Sequence, residues 1–122
     1  MEIKQLSEEI HKTAVEKGFW NKSQNVGEKL MLIVSELAEA LEADRNGSHT
    51  KQPISDVSGW TNDEDFSRKF EQVVKDTFED ELADATIRIF DLAEHFNVDL
   101  TAHIKAKMRY NKTRPFMHNK KY

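Results

Sequence analysis

The chain has 122 residues and a formal net charge of −4, with 33% charged and 38% hydrophobic residues and a mean hydropathy of −0.74. Seven Phe and two Trp exclude a disordered chain, and the length suits one domain with a single core. Cysteine is absent, which excludes disulfides, thiolate metal sites, iron–sulfur clusters and cysteine nucleophiles. No apolar run approaches the ~20 residues of a membrane span. Met1-Glu2-Ile3-Lys4 lacks the apolar stretch of a signal peptide. The expectation is a cytoplasmic protein with no membrane contact. Four Gly and two Pro supply too little turn punctuation for an all-β fold.

Helical periodicity runs through the chain. Ile3, Leu6, Ile10 and Ala14 share one helix face, with Gly18 as its stop and Phe19-Trp20 in the connection that follows. Asn25 reads as an N-cap with Glu28 as its capping-box partner. Leu30, Val34, Leu37 and Leu41 then form the apolar stripe of a second helix ending near Asn46-Gly47. Residues 46–62 form a loop rich in Asn, Gly, Ser and Pro, with Trp60 at its end. Thr61 with Glu64 reads as a second capping box, and Phe66, Phe70 and Val73 continue a third stripe whose phenylalanines belong to the core. Phe78, Leu82, Ala85, Ile89, Leu92 and Phe96 give the clearest amphipathic helix; the pattern leaves its join to the preceding one, near Lys75-Asp76, open. Asp99 caps a last helix through Leu100, Ile104 and Met108, which Pro115 ends. The fold class is all-α, a four- to five-helix bundle forming one domain over residues 1–122.

Charge divides unevenly. Residues 1–99 carry 11 Lys/Arg and 22 Asp/Glu, a balance of −11, whereas residues 100–122 carry seven Lys/Arg and no acid. A polyanion would be repelled by most of such a chain, so nucleic acid is not an expected partner. The acids include two matched segments, Glu36-Leu37-Ala38-Glu39 and Glu81-Leu82-Ala83-Asp84. Positions i and i+3 share a helix face. On a wheel with Leu30 at zero, the Leu/Val stripe centres near about 20°, while Glu39 and Glu36 lie near about 180° and 240°. Leu32 and Ile33 flank these acids, and Ile87 flanks the pair on the other helix. Each helix therefore carries an apolar seam and a second, partly apolar face with two acids. Acids at this spacing also occur on ordinary solvated faces. If the four carboxylates meet between packed helices, a cation must neutralise them, because burying an unpaired carboxylate costs several kcal/mol. Oxygen ligands without Cys or paired His favour Mg²⁺, or Mn²⁺, over Zn²⁺. Such an ion beside a basic tail suggests attack of water on a phosphoanhydride. Ser35 and Thr86 have no His–Asp partner at useful spacing, and there is no glycine-rich phosphate loop.

The blocks Glu28–Arg45 (EKLMLIVSELAEALEADR) and Asp80–Ala93 (DELADATIRIFDLA) resemble the two metal-binding helices of the MazG-type, all-α nucleoside triphosphate pyrophosphohydrolases. The tail from Lys107 through Asn111-Lys112-Thr113-Arg114-Pro115 to His118 and Lys120-Lys121 is similar to that of the family's smaller members, as is Gly18-Phe19-Trp20 to their N-terminal segment. The resemblance runs from about Gly18 to Tyr122. It implies hydrolysis of a nucleoside or deoxynucleoside triphosphate to monophosphate and pyrophosphate, with Glu36, Glu39, Glu81 and Asp84 as catalytic metal ligands for Mg²⁺ or Mn²⁺. It implies Trp20, Lys107, Asn111, Lys112 and Arg114 as substrate contacts, the arginine suited to bidentate phosphate binding. The chain departs from the family where Ser35 replaces a frequent acid and where the Glu39–Glu81 interval is lengthened.

Of the remaining candidates, Trp20 and Trp60 lie on connections where a base could stack or where they could plug a bundle end. Glu8-x-x-His11 is half of a di-iron motif without a second half, so His11 reads as exposed. His95 and His103 read as surface or helix-end residues, and His118 as a weaker phosphate contact. The second apolar face predicts a homodimer or homotetramer. The alternative to the enzyme is a non-catalytic helical interaction module whose basic tail binds an acidic partner.

Overall fold

A computed structural model describes residues 2–23, 25–55 and 62–122. The described residues contain five α-helices and no strand: α1 (Ile3–Glu16), α2 (Val26–Arg45), α3 (Asp63–Val73), α4 (Phe78–His95) and α5 (Leu100–Lys112), followed by a 3₁₀ turn at Phe116–Asn119. The all-α expectation is met. No described helix is long and apolar enough to cross a membrane.

Local chemistry sets the helix ends. Asn25 accepts the Glu28 N–H at 3.1 Å and Asp99 accepts the Ala102 N–H at 3.0 Å, so both expected caps form. Gly18 (φ 88°) and Gly47 (φ 68°) end their helices in the left-handed region that glycine enters without a Cβ penalty. Trp60 and Thr61 lie outside the described residues; the cap of α3 is Asn62, which accepts the Asp65 N–H at 3.0 Å, one position beyond the expected Thr61. The join left open by the sequence is a turn at Val74–Thr77. There Thr77 Oγ1 accepts the Asp80 N–H at 3.3 Å and Asp80 Oδ2 accepts the Asp76 N–H at 2.9 Å, a reciprocal cap for α4.

Contacts group the chain into two compact units, Met1–Lys22 with Phe90–Tyr122, and Ser23–Ile89. In the first, α1 packs on α5, and Ser7 is the buried residue of α1. In the second, the buried face of α2 is Ile33, Glu36, Ala40 and Ala43, and the buried residues of α4 are Glu81 and Ala85. This reverses the expected seam. Leu30, Val34, Leu37 and Leu41 are 45% to 51% exposed, whereas the face with the acids is the one that turns inward. Leu82 and Ile89 of the α4 stripe are also exposed. Periodicity defines two candidate faces on α2 but not which of them the fold covers.

Candidate metal centre

Helix α2 presents Glu36 and Glu39 one turn apart, and the first turn of α4 presents Glu81. One carboxylate oxygen from each of the three lies within 4.8 Å of the others, a spacing that suits a shared cation. Glu36 and Glu81 are buried, Glu81 at only 4% exposure, and Glu39 is exposed. Glu81 Oε2 is buried with no hydrogen-bond partner. Such an orphaned oxygen is costly unless a cation or a proton satisfies it. Asp84, one turn further along α4, is half-buried and does not join the group of three.

The electrostatics follow from this crowding. Burial, and then hydrogen bonding and repulsion from Glu36 and Glu39, push the Glu81 carboxyl up to about 8, so at neutral pH it holds a proton. Burial acts to raise Glu36, but the Arg88 guanidinium, whose Nε donates to Glu36 Oε1 at 2.9 Å, and then hydrogen bonding with Glu81 and Glu39 hold that carboxyl below its usual range. Asp84 is raised by burial, then by the charges of Asp80 and Glu36. One carboxylate paired with a guanidinium, one protonated and one exposed is an arrangement that limits repulsion among converging like charges. The residues fit a hard divalent cation, which would replace the Glu81 proton and use its unpartnered oxygen. A second acidic group, Asp76, Asp80 and Glu81, also meets within 4.8 Å, but Asp80 serves there as the α4 cap.

Arg88, which touches Glu36, is a residue of this cluster that the spacing of the acids does not single out. Its signal was present, since it lies four residues after Asp84 and seven after Glu81 on the acid-bearing face.

The other unit holds the remaining expected contacts. Trp20 Nε1 donates to both oxygens of Asp91, at 3.0 and 3.1 Å, and its ring lies flat on His95 with centroids 3.7 Å apart. His11 was expected to be exposed; instead it is half-buried, with Nδ1 2.7 Å from Asp91 Oδ1. The buried side of α1 brings it to Asp91, a contact 80 residues away that α1 periodicity cannot reveal. The Lys107 ammonium, from α5, and the Arg114 guanidinium, just past its end, lie over the Tyr110 ring at 5.0 and 5.5 Å from its centroid. Asn111 is half-buried with an unpartnered Oδ1, and Lys112 is exposed. His118 is held below its ordinary value by desolvation and by the charges of Arg114, Lys120 and Lys107, so these cations share one neighbourhood. The chain matches no protein-family model, and no curated protein or solved structure is significantly similar to it.

Proposed function

We propose that this chain is a cytoplasmic, MazG-type nucleotide pyrophosphohydrolase that cleaves a nucleoside or deoxynucleoside triphosphate to monophosphate and pyrophosphate. The observation that carries the reading is the convergence of Glu36, Glu39 and Glu81 from two helices within 4.8 Å, with a buried, unpartnered Glu81 oxygen among them. Glu36, Glu39 and Glu81 would hold Mg²⁺ or Mn²⁺, with Asp84 beside them. The ion would supply charge stabilisation on the phosphate oxygens and a water of lowered pKa. Arg88 keeps Glu36 ionised and oriented, and Glu81 gives up its proton on loading. Lys107, Lys112 and Arg114 supply cations for a polyphosphate, and Asn111 supplies an acceptor for a base or sugar donor. Trp20, with its N–H anchored on Asp91, offers an aromatic edge or face to a base. In the reaction a water oxygen bonds to the α-phosphorus and gives up a proton to solvent, the bond to the α–β bridging oxygen breaks, and pyrophosphate leaves.

The same reading includes a homodimer or homotetramer. Leu30, Val34, Leu37 and Leu41 form one exposed stripe on α2, and a second copy is the partner that would cover it by symmetry. The deciding experiment is a panel of nucleoside and deoxynucleoside triphosphates with Mg²⁺, separating pyrophosphate from orthophosphate. Pyrophosphate with monophosphate from one or a few nucleotides is expected. Orthophosphate would overturn the cleavage position. No product, with Mg²⁺ still bound, would leave the helical interaction module, for which the exposed α2 stripe is the supporting feature.

A further inference from the structure

His49 lies on the segment leaving α2, and its ring is gripped from two sides. Nδ1 is 3.0 Å from Glu79 Oε1 and Nε2 is 3.1 Å from Asp44 Oδ1. Asp44 is in the last turn of α2 and Glu79 in the first turn of α4. A neutral imidazole has one N–H donor and one lone pair, so it cannot donate to both carboxylates; only the imidazolium can. Further bonds gather around it. Glu79 Oε2 accepts the Thr50 N–H at 2.9 Å, the Thr50 and Thr77 hydroxyls are 3.0 Å apart, and the Phe78 N–H donates to the Ser48 carbonyl at 2.9 Å. Residues 48–50 are thus stitched to residues 77–79, two positions before Glu81.

We propose that His49, as a cation, is a positioning residue for the candidate metal centre, strapping the end of α2 to the first turn of α4 so that Glu81 stays in register with Glu36 and Glu39. The inference rests on the reading of that carboxylate cluster as a cation site. The charged groups set against the ring, among the described residues, are Asp44 from α2 and Glu79 from α4; the Phe78 ring packs with its centroid 5.1 Å away. The Glu79 hydrogen bond, and then that of Asp44, raise His49 above its ordinary value of 6.5. The strap is therefore complete below 6.5 and is lost as pH rises through the raised value. Above it, one ring nitrogen turns a lone pair toward a carboxylate, and that contact becomes repulsive.

The test uses the full chain and Mn²⁺ alone as the probe. Carbon-detected NMR of the His49 ring should give a titration midpoint above 6.5, lowered by Asp44→Asn. At pH 6, Mn²⁺ should bind His49→Ala about three- to tenfold more weakly than wild type, the scale of one charge-assisted contact. Near pH 9 the two should converge. His49→Arg, whose fork keeps two donors and a permanent charge, should restore the tighter binding at both pH values. A purely structural role for the ring would give neither the convergence nor the rescue. Equal Mn²⁺ affinity of wild type and His49→Ala at pH 6, a pH-independent difference between them, or a midpoint at or below 6.5 would each overturn the proposal. Failure of the wild type to bind Mn²⁺ would overturn the cation reading and the positioning role with it; the ring midpoint would still report separately on the strap.

Discussion

Replacing Glu81 with Gln removes the carboxyl that the fold keeps protonated and leaves a neutral side chain of the same shape. Holding that carboxyl at about 8 instead of its ordinary 4.5 corresponds to about 5 kcal/mol, at about 1.4 kcal/mol per tenfold change. Between these two values the folded chain binds a proton that the unfolded chain has released. The metal-free wild type is therefore most stable, as far as this group is concerned, below 4.5, and loses that stability as pH rises through about 8. A loss of this size is a large part of a typical domain's total stability. Urea unfolding with EDTA, at steps from pH 5 to pH 9, measures it. The wild type should lose several kcal/mol over that interval. Glu81→Gln should lose much less, keeping the slopes from Asp84 and His49, whose raised values act in the same direction, and the opposing slope from His118, whose value is lowered. Saturating Mg²⁺ should restore the wild type at pH 8 by mass action and leave the variant unmoved. Calorimetry in two buffers offers a second readout, because at pH 7 a carboxyl titrating at about 8 is about nine-tenths protonated and must release that proton to the ion. A wild type whose metal-free stability is flat from pH 5 to pH 8, or a variant that falls as steeply, would refute the reasoning.

Arg88→Leu should cost the metal-free protein about 1–3 kcal/mol, because buried Glu36 loses its donor, and the urea midpoint reads it directly. Glu39→Gln should abolish the thermal shift with Mg²⁺ and any pyrophosphate release while helicity by circular dichroism is unchanged; normal turnover would remove Glu39 from the metal site. Leu37→Glu should shift the chain to monomer in sedimentation velocity, and a wild type already monomeric at micromolar concentration would refute a second copy on the α2 stripe. Asp99→Ala should cost about 1 kcal/mol through loss of the α5 cap, seen as a lower urea midpoint at constant slope.

The parts of the site that were legible in the sequence are those written into a single turn of helix. Glu36 and Glu39 had to share a face because they are three apart, and the matched segment on α4 supplied the facing acid. Asn25 and Asp99 were legible as caps because a cap joins residues three positions apart. Arg88 is not legible locally because its partner Glu36 is 52 residues away, nor is His49, because Asp44 and Glu79 belong to different helices. His11 was misplaced for the same reason: Asp91, not its own helix, decides its burial.

The sequence by itself determined that the chain is helical, where most of its helices begin and end, and which side chains lie on one face. Those properties come from hydrogen bonds and steric limits acting over three to four residues. Only the tertiary structure decided which face is inside. On α2 the hydrophobic stripe of Leu30, Val34, Leu37 and Leu41 is the stronger apolar signal, yet Ile33, Glu36, Ala40 and Ala43 are the residues that are buried. Covering a face depends on what other elements bring to it, and no local pattern contains that information. The same burial turns Glu81 from an ordinary surface acid into a protonated one, since desolvation and the nearness of Glu36 and Glu39 exist only once α2 and α4 have met.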